Sequence, residues 1–170
     1  MDKEIPMNDD IHLNWRSQCE RYTVSIAPSC FNRMLELAKK NYPCEVGTSL
    51  IGFYSDDGFN AFITDMAPLS SDSKGSGSSF YRGIKGLQTF FTKLWREHEG
   101  KRHYVGEWHS HPDALPSPST TDDINQLAIA ADLKTNCPES ILIIIGGDPF
   151  DSPKLGVFVY SRKQGRIDLF

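Results

Sequence analysis

Two histidines, His109 and His111, stand two positions apart directly before Pro112, and the imidazole nitrogen is a common ligand for zinc. Residues two apart in an extended strand point to the same side, so both rings can be directed at one point. Pro112 cannot continue a sheet ladder, and the chain is therefore expected to turn away after the second histidine. An isolated pair of this kind is more often surface chemistry or chance than a metal site.

Ser119 and Asp122 follow with the Ser-x-x-Asp spacing of a capping box at a helix start, a pattern that by itself needs no metal. The same geometry directs the Asp122 carboxylate back towards the strand with the histidines. Two neutral imidazoles and one carboxylate make a three-ligand catalytic zinc site with a fourth position open for water. The combined pattern, His-x-His-Pro-x6-Ser-x2-Asp, is rare by chance and predicts zinc bound by His109, His111 and Asp122.

This pattern resembles the complete motif of the JAMM (MPN+) zinc metallopeptidases, also called the Mov34/MPN/PAD-1 family. The resemblance covers about residues 21–162. It implies an upstream catalytic glutamate, and Glu45, in the segment Cys44–Gly52, stands where the family has it. By the same resemblance, Glu45 takes a proton from the attacking water and returns it to the leaving amine. Ser119 resembles the serine that donates a hydrogen bond to the tetrahedral oxyanion. From the residues alone, Glu45 is one of several candidate carboxylates.

Other polar residues near the motif have simpler interpretations. Glu107 shares a strand face with His109, so it is either a partner for an imidazole or a solvated edge residue. Asp123 is expected to favour the helix N-terminus electrostatically. Three histidines are interpreted as ordinary surface or core residues: His12, His98 and His103. The cysteines lack any paired spacing and are expected to be reduced and mostly buried: Cys19, Cys30, Cys44 and Cys137.

The resemblance also implies a protein substrate. JAMM enzymes cut at the extended C-terminal tail of a ubiquitin-like protein, and such a tail can add as a strand to an exposed sheet edge. Four segments resemble the bacterial JAMM proteins of type II CBASS antiphage operons: Phe80–Gly83, Gly86–Leu87, Trp95 and Tyr104–Pro112. This narrower resemblance implies a deubiquitinase-like isopeptidase that cleaves after the C-terminus of a cGAS-like nucleotidyltransferase linked to target amines.

Three alternatives remain open at this point. The enzyme could deconjugate or process another bacterial ubiquitin-like protein, or it could release amino acids from a sulfur-carrier protein. The third alternative is a non-catalytic MPN scaffold that only binds partners. Scaffold members usually lack one or more site residues, whereas this chain has all five: Glu45, His109, His111, Ser119 and Asp122.

The whole-chain composition fits one ordinary globular domain, with 170 residues, 39% of them hydrophobic and 24% charged. The net charge is −4 and the Lys and Arg residues are scattered, which argues against a nucleic-acid partner. The longest apolar run, Ile141–Ile145, is too short to cross a bilayer, and the N-terminus lacks the apolar stretch of a secretory signal. A cytoplasmic protein without a membrane partner is therefore expected, and the resemblance to CBASS proteins implies a bacterial one.

Hydrophobic periodicity predicts strands alternating with helices, and hence an α/β fold with a mixed sheet flanked by helices. Strands are expected near 21–27, 47–54, 59–66, 103–109, 141–146, 155–162 and 166–170, and helices near 28–41, 83–99 and 119–134. The resemblance implies a single cytidine-deaminase-like MPN (JAB/JAMM) domain over 21–170, behind a polar lead-in over 1–20 with Trp15 as its anchor. The Ser/Gly-rich segment Ser70–Ser79 predicts a flexible connector or, by the resemblance, a clamp for the substrate tail.

Overall fold

The computed structural model describes residues 12–170. In chain order its elements are β1 (Leu13–Arg16), β2 (Thr23–Ile26), α1 (Pro28–Asn41), β3 (Gly47–Tyr54), β4 (Asn60–Met66), β5 (Lys74–Gly75), β6 (Phe80–Tyr81), α2 (Leu87–Glu97), β7 (His103–Pro112), α3 (Thr120–Ala131), β8 (Glu139–Gly147), β9 (Lys154–Ser161) and β10 (Gly165–Leu169). These elements give the predicted α/β fold. No helix within the described residues is long and apolar enough to cross a membrane.

Eight strands form one mixed sheet in the order β1-β2-β4-β3-β7-β8-β9-β10, while β5 and β6 pair separately as a short hairpin. The β2–β4 and β7–β8 pairs are parallel and the other pairs in the main sheet are antiparallel. The two outer strands meet, because the backbones of Arg16 and Phe170 exchange hydrogen bonds of 2.9 and 2.8 Å. A bridge between Ser17 and Leu169 continues this junction, which we call the seam.

The apolar strand β8 lies inside the sheet and contributes to the cores on both of its faces. Ile141, Ile143 and Ile145 belong to the main core beneath α1, whereas Leu142 and Ile144 pack with Ala130 of α3 on the other face. Because successive strand residues point to opposite faces, an unbroken apolar run fits a strand that is covered on both sides. The central position predicted for residues 141–146 is confirmed.

Helix α1 spans the residues predicted for it. Pro28 occupies its first turn, where a missing N–H costs nothing, and the helix ends at Asn41 before Pro43. Cys30, Met34 and Ala38, spaced four apart, are buried against the sheet. Helix α1 therefore brings the chain to the start of β3, where Glu45 lies.

Three segments differ from the sequence-based expectation. Strand β7 continues through Pro112, which is paired with Gly147 of β8, instead of turning away directly after the second histidine. Strand β1 lies within the predicted polar lead-in and pairs with β2, which follows it. Trp15 of β1 packs against the main core, as expected of an anchor. We therefore propose a domain that begins at or before Leu13; residues 1–11 lie outside the described part. The segment predicted as a flexible connector, Ser70–Ser79, contains β5 and leads directly into β6, and Ser76 and Ser79 close the turn between the two strands.

Candidate metal centre

Strand β7 brings the two histidines to the same side of the sheet. His109 and His111 have 12% and 14% of their side chains exposed, and their Nε2 atoms lie 3.0 Å apart. Ser110, between them, points to the opposite face, where its Oγ accepts a hydrogen bond from the Val46 N–H. The strand is fixed on both sides, since His109 is paired with Gly47 of β3 and with Ile144 of β8.

A glycine is required opposite the first histidine. A Cβ atom at Gly47 would lie 2.2 Å from the carbonyl oxygen of Trp108 and 2.8 Å from the Cβ of His109. Any side chain at this position would push β3 away from β7 or displace the His109 ring. Because Gly47 has no side chain, the start of β3 can pack closely on β7. Glu45, two residues before Gly47, is thereby held near the histidines.

Helix α3 supplies the carboxylate through the capping box that the sequence predicts. Ser119 is the N-cap, and its Oγ accepts a 3.1 Å hydrogen bond from the Asp122 N–H. The Asp122 Oδ2 atom accepts hydrogen bonds of 2.7 Å from both the backbone N–H and the hydroxyl of Ser119. The other oxygen, Oδ1, lies 3.4 Å from His109 Nε2, and Oδ2 lies 3.8 Å from His111 Nε2, so the carboxylate is next to both histidines.

The surroundings of His111 and Asp122 favour the protonation states that metal ligands need. His111 Nδ1 lies 3.2 Å from the carbonyl oxygen of Leu115, which can only accept, so Nδ1 holds the proton and Nε2 presents its lone pair. Burial lowers the pKa of His111 and so does the neighbouring His109, which favours the neutral ring. Burial alone would raise the pKa of Asp122, but hydrogen bonds from His109 and Ser119 outweigh it and hold that pKa well below its ordinary value.

The three groups fit a metal ion. In residues 12–170, His109, His111 and Asp122 offer one ligand atom each, all within 4.8 Å of one another. The two imidazole nitrogens are 3.0 Å apart and Asp122 Oδ1 lies 3.4 Å from His109 Nε2, close to the roughly 3.3 Å between ligands of a tetrahedral ion with bonds of about 2.0–2.1 Å. Two imidazoles with one carboxylate are a donor set that suits zinc and leaves one position open.

Glu45 lies in the connection between α1 and β3, half-buried beside the ligands. Burial raises the pKa of its carboxyl, the nearby His109 opposes this, and the negative charge of Asp122 raises it further. Glu45 therefore lies close enough to two of the three candidate ligands to interact electrostatically. A carboxylate with a raised pKa beside such a cluster is a candidate general base.

The β5–β6 hairpin packs directly on the backbone of Glu45. The Glu45 N–H donates a 2.7 Å hydrogen bond to the carbonyl oxygen of Ser76. A Cβ atom at Gly75 would lie 2.0 Å from the Glu45 carbonyl oxygen, so only glycine fits there without displacing one of the two segments. The Ser/Gly-rich segment thus holds the candidate general base in place.

Glu107 is largely buried rather than a solvated edge residue, and it lies close enough to His109 for that ring to oppose the effect of burial on its pKa. Its carboxylate is 15% exposed and forms a 2.8 Å ion pair with Nε of Arg82, which follows β6. The hydroxyl of Tyr104 donates a further hydrogen bond of 3.1 Å. Burial raises the pKa of Glu107, while Arg82 and Tyr104 counteract that effect. Glu107 is therefore a buried anchor for the hairpin, and sequence offered no sign of Arg82 as its partner.

Asp123 also has partners that sequence did not indicate. It lies in the first turn of α3, as expected of a residue that favours the helix N-terminus, but Tyr160 and Arg166 both donate hydrogen bonds to its carboxylate. The cysteines behave largely as predicted, since all four are free thiols and Cys30 and Cys137 are buried. Cys19 is the exposed exception.

Comparison with known proteins decides the family. A family model described as prokaryotic homologs of the JAB domain matches residues 27–158, which include all five candidate site residues. The chain belongs to the prokaryotic JAB family. The family expected from the residues between Glu45 and Asp122 is confirmed.

Two curated relatives resemble this JAB protein over most of its length. The chain is 34% identical over 157 residues, 92% of its length and 86% of the relative's, to a protein of Enterobacter hormaechei subsp. hoffmannii named CD-NTase/cGAS isopeptidase. It is 28% identical over 125 residues, 73% of its length and 76% of the relative's, to a probable metalloprotease of Sinorhizobium fredii. Both relatives have names that denote cleavage of peptide or isopeptide bonds.

A solved structure supports the JAB fold. The solution structure of a protein from Desulfitobacterium hafniense superposes with a TM-score of 0.58 and covers 85% of this chain and 88% of its own. The two sequences are 20% identical, so the likeness concerns the fold alone.

Proposed function

We propose that this JAB protein is a zinc-dependent isopeptidase that cleaves after the C-terminus of a conjugated cGAS-like nucleotidyltransferase (CD-NTase) in bacterial antiphage defence. The observation that carries the reaction class is the convergence of His109, His111 and Asp122 beside the half-buried Glu45. The substrate class is supported by 34% identity to the relative named CD-NTase/cGAS isopeptidase over 92% of the chain.

In this proposal, His109, His111 and Asp122 hold the zinc ion through Nε2, Nε2 and Oδ1. When bound at such a site, zinc makes hydroxide available near neutral pH and polarises a carbonyl group. The protein keeps the donor atoms ready for this: the Leu115 carbonyl fixes the His111 tautomer, and Ser119 occupies the Asp122 oxygen that faces away from His109. The ligands are therefore oriented before the metal arrives.

Glu45 moves the protons. Its carboxylate accepts a proton from the attacking water and later gives that proton to the departing amine, so that the peptide or isopeptide C–N bond breaks with a neutral leaving group. The raised pKa of Glu45 suits this double role, because a carboxylate with a pKa closer to neutrality is a stronger base in the first step and keeps the proton until the amine departs.

Ser119 has a second role in the proposal, as hydrogen-bond donor to the oxyanion of the tetrahedral intermediate. Its hydroxyl donates to Asp122 Oδ2 in this structure, so it must turn its proton towards the oxyanion during the reaction. The Ser119 backbone N–H also donates to Oδ2 and keeps the Asp122 carboxylate oriented when the hydroxyl turns away.

The hairpin provides the place for the substrate tail. Strands β5 and β6 form a separate two-stranded sheet, and its Ser76 backbone bonds directly to Glu45. An extended tail that pairs with an edge of this hairpin would be led along the segment that contains the catalytic glutamate. We therefore propose that the Ser70–Ser79 segment clamps the tail of the conjugated protein.

The decisive experiment measures cleavage and zinc content in parallel. Purified protein, Glu45→Gln and the control Glu139→Gln are each tested on a CD-NTase bearing a C-terminal protein fusion, and on ubiquitin-like and sulfur-carrier fusions. Glu139 is a suitable control because it is also partly buried with a pKa raised by burial, but it lies at the opposite end of β8 from His111's partner Gly146. Zinc is quantified by mass spectrometry.

We expect one zinc ion per chain in all three proteins, and cleavage at the CD-NTase C-terminus that only Glu45→Gln abolishes. Removing zinc with a chelator should stop cleavage, and adding it back should restore it. Near-normal cleavage by Glu45→Gln would overturn the role of Glu45. Cleavage of only another fusion would retain the chemistry and reject the CD-NTase substrate. Zinc binding without any cleavage would favour the scaffold alternative.

A further inference from the structure

The N-terminal half of α3, which delivers Asp122, is attached to the sheet without a buried apolar side chain. Its apolar residues Ile124 and Leu127 are 63% and 42% exposed. The residues that face the sheet in this half are polar: Asp122, Asp123 and Gln126. Apolar burial begins only in the last turn, with Ala130. Polar contacts must therefore determine where the first turn of the helix lies.

Asp123 makes the contacts that hold this first turn. Its Oδ1 accepts a 2.6 Å hydrogen bond from the hydroxyl of Tyr160, a residue of β9 that is completely buried. Nη1 of Arg166, on β10, lies 3.1 Å from Oδ1 and 3.0 Å from Oδ2 of the same carboxylate. Nε of Arg166 donates a separate 3.0 Å hydrogen bond to Asp168, which does not contact α3. One carboxylate thus ties the helix start to two strands.

A second polar contact lies one turn further along. Gln126 accepts a 2.8 Å hydrogen bond from the hydroxyl of Ser140 on β8, and both side chains are buried. Gln126 holds the second turn of α3 on β8, so the contacts of Asp123 are those that fix the first turn against β9 and β10.

We propose that Asp123, held by Tyr160 and Arg166, is a positioning residue that sets the metal affinity by fixing Asp122 against the histidines. The inference rests on the proposed metal centre. Ser119 orients the Asp122 carboxylate within the helix, whereas Asp123 orients the helix relative to β7. Displacement of the first turn would carry Asp122 Oδ1 away from its position 3.4 Å from His109 Nε2. Of the two adjacent aspartates, Asp122 therefore binds the metal ion and Asp123 positions Asp122.

The test uses Asp123→Asn and Tyr160→Phe, with Asp168→Asn as the matched control. Tyr160→Phe removes one hydroxyl and leaves the ring in the core, so it separates positioning from folding. Asp168→Asn removes the other ion pair of Arg166, which does not involve α3. Zinc affinity is measured by competition with a chromophoric chelator, and the Co²⁺-substituted proteins are compared by visible absorption. Thermal unfolding of the metal-free proteins gives their stability.

We expect Asp123→Asn and Tyr160→Phe to weaken zinc binding about 10–100-fold and to change the Co²⁺ spectrum, with Asp168→Asn resembling the unaltered protein. Unchanged affinity and spectrum in both variants would overturn the inference, even if their melting temperatures fell, because that pattern describes a purely structural contact. If the unaltered protein binds no zinc or Co²⁺, the proposed metal centre itself is wrong. The two failures are thus distinguishable.

Discussion

At the scale of single residues, the candidate site is prepared by hydrogen bonds that leave the metal-facing atoms free. The carbonyl of Leu115 takes the Nδ1 proton of His111, and two Ser119 donors take Oδ2 of Asp122. An imidazole has two nitrogens and a carboxylate has two oxygens. Each of these hydrogen bonds occupies one of the two atoms and so determines which atom remains available to bind a metal ion. Such outer contacts are what distinguish a ligand set from a chance meeting of polar residues.

Ser119 has two roles, the helix cap and the proposed oxyanion donor, that can be followed by two separate measurements. Ser119→Ala removes both the helix cap and the proposed oxyanion donor, so we expect kcat to fall roughly 100-fold and the free energy of unfolding to fall by about 1 kcal/mol. Ser119→Thr keeps the hydroxyl and should restore most of both. Steady-state kinetics and urea unfolding measure the two effects. Ser117→Ala, outside the helix, serves as the control. If Ser119→Ala lowered kcat no more than Ser117→Ala does, the oxyanion role would be rejected.

The cysteines provide a test of which thiols the fold protects. Burial raises the pKa of Cys30 to about 12 and that of Cys137 to about 11, so both remain protonated and unreactive near neutral pH. We expect iodoacetamide to modify the exposed Cys19 well before either, as read by peptide mass spectrometry. Zinc should stay bound throughout, since no cysteine belongs to the ligand group. Early modification of Cys137 would show that the core near β8 opens readily.

The five proposed site residues could be named from sequence because their types and spacing are local, apart from Glu45, which the family resemblance supplied. The partners of Glu107 and Asp123 could not be named in this way. Arg82 and Tyr160 are distant in sequence, and any of the chain's other basic and hydroxyl residues could have met those carboxylates. Such pairs are set by strand order, which hydrophobic periodicity does not contain.

At the scale of elements, the hairpin shows how a polar segment gains order without apolar burial. Asp72 accepts hydrogen bonds from the backbone N–H groups of Ile84 and Lys85, which closes the segment at its base. Arg82 pairs with Glu107, and Ser76 bonds to Glu45. The composition of Ser70–Ser79 favours a loop because it lacks apolar periodicity. The strands here are two residues long and depend on backbone and charge contacts that such a pattern does not reveal.

Gly75 offers a sharp test of the hairpin's role. Gly75→Ala should force apart the hairpin and the Glu45 backbone, because the new Cβ would lie 2.0 Å from the Glu45 carbonyl oxygen. We expect kcat/KM to fall about tenfold or more, as misplacement of a catalytic group predicts, with full zinc content. Gly77→Ala is the matched control, since its Cβ would meet its nearest neighbour at an ordinary 4.0 Å. Equal activity in the two variants would show that the hairpin does not position Glu45.

At the scale of the whole molecule, the sheet is joined at its seam by β1 and β10. The mixed sheet, its central apolar strand and the flanking helices were predictable from periodicity. The inclusion of β1 was not, because Leu13–Arg16 is a four-residue strand with mixed burial and gains its place only by pairing with β2. Its contact with the last strand depends on the curvature of all eight strands together.

The seam makes a testable contribution to stability. Leu169 is buried in the main core, whereas its neighbour Phe170 is 81% exposed. We expect Leu169→Ala to lower the free energy of unfolding by about 2–4 kcal/mol, and Phe170→Ala to change it by less than about 0.5 kcal/mol. Chemical denaturation monitored by tryptophan fluorescence measures both. Similar values for the two variants would mean that the end of β10 does not pack as described.

The seam also bears on the lifetime of the native state. It joins Arg16 to Phe170, near opposite ends of the described chain, so its closure carries a large loop-entropy cost and is expected late in folding. Contacts that form after the transition state govern the rate of unfolding far more than the rate of folding. Weakening the seam should therefore leave the refolding rate almost unchanged and increase the unfolding rate, which shortens the lifetime of the native state. Proteases cleave the chain when it opens transiently. The rate of such cleavage would then depend on the seam, whose residues take no part in the proposed chemistry.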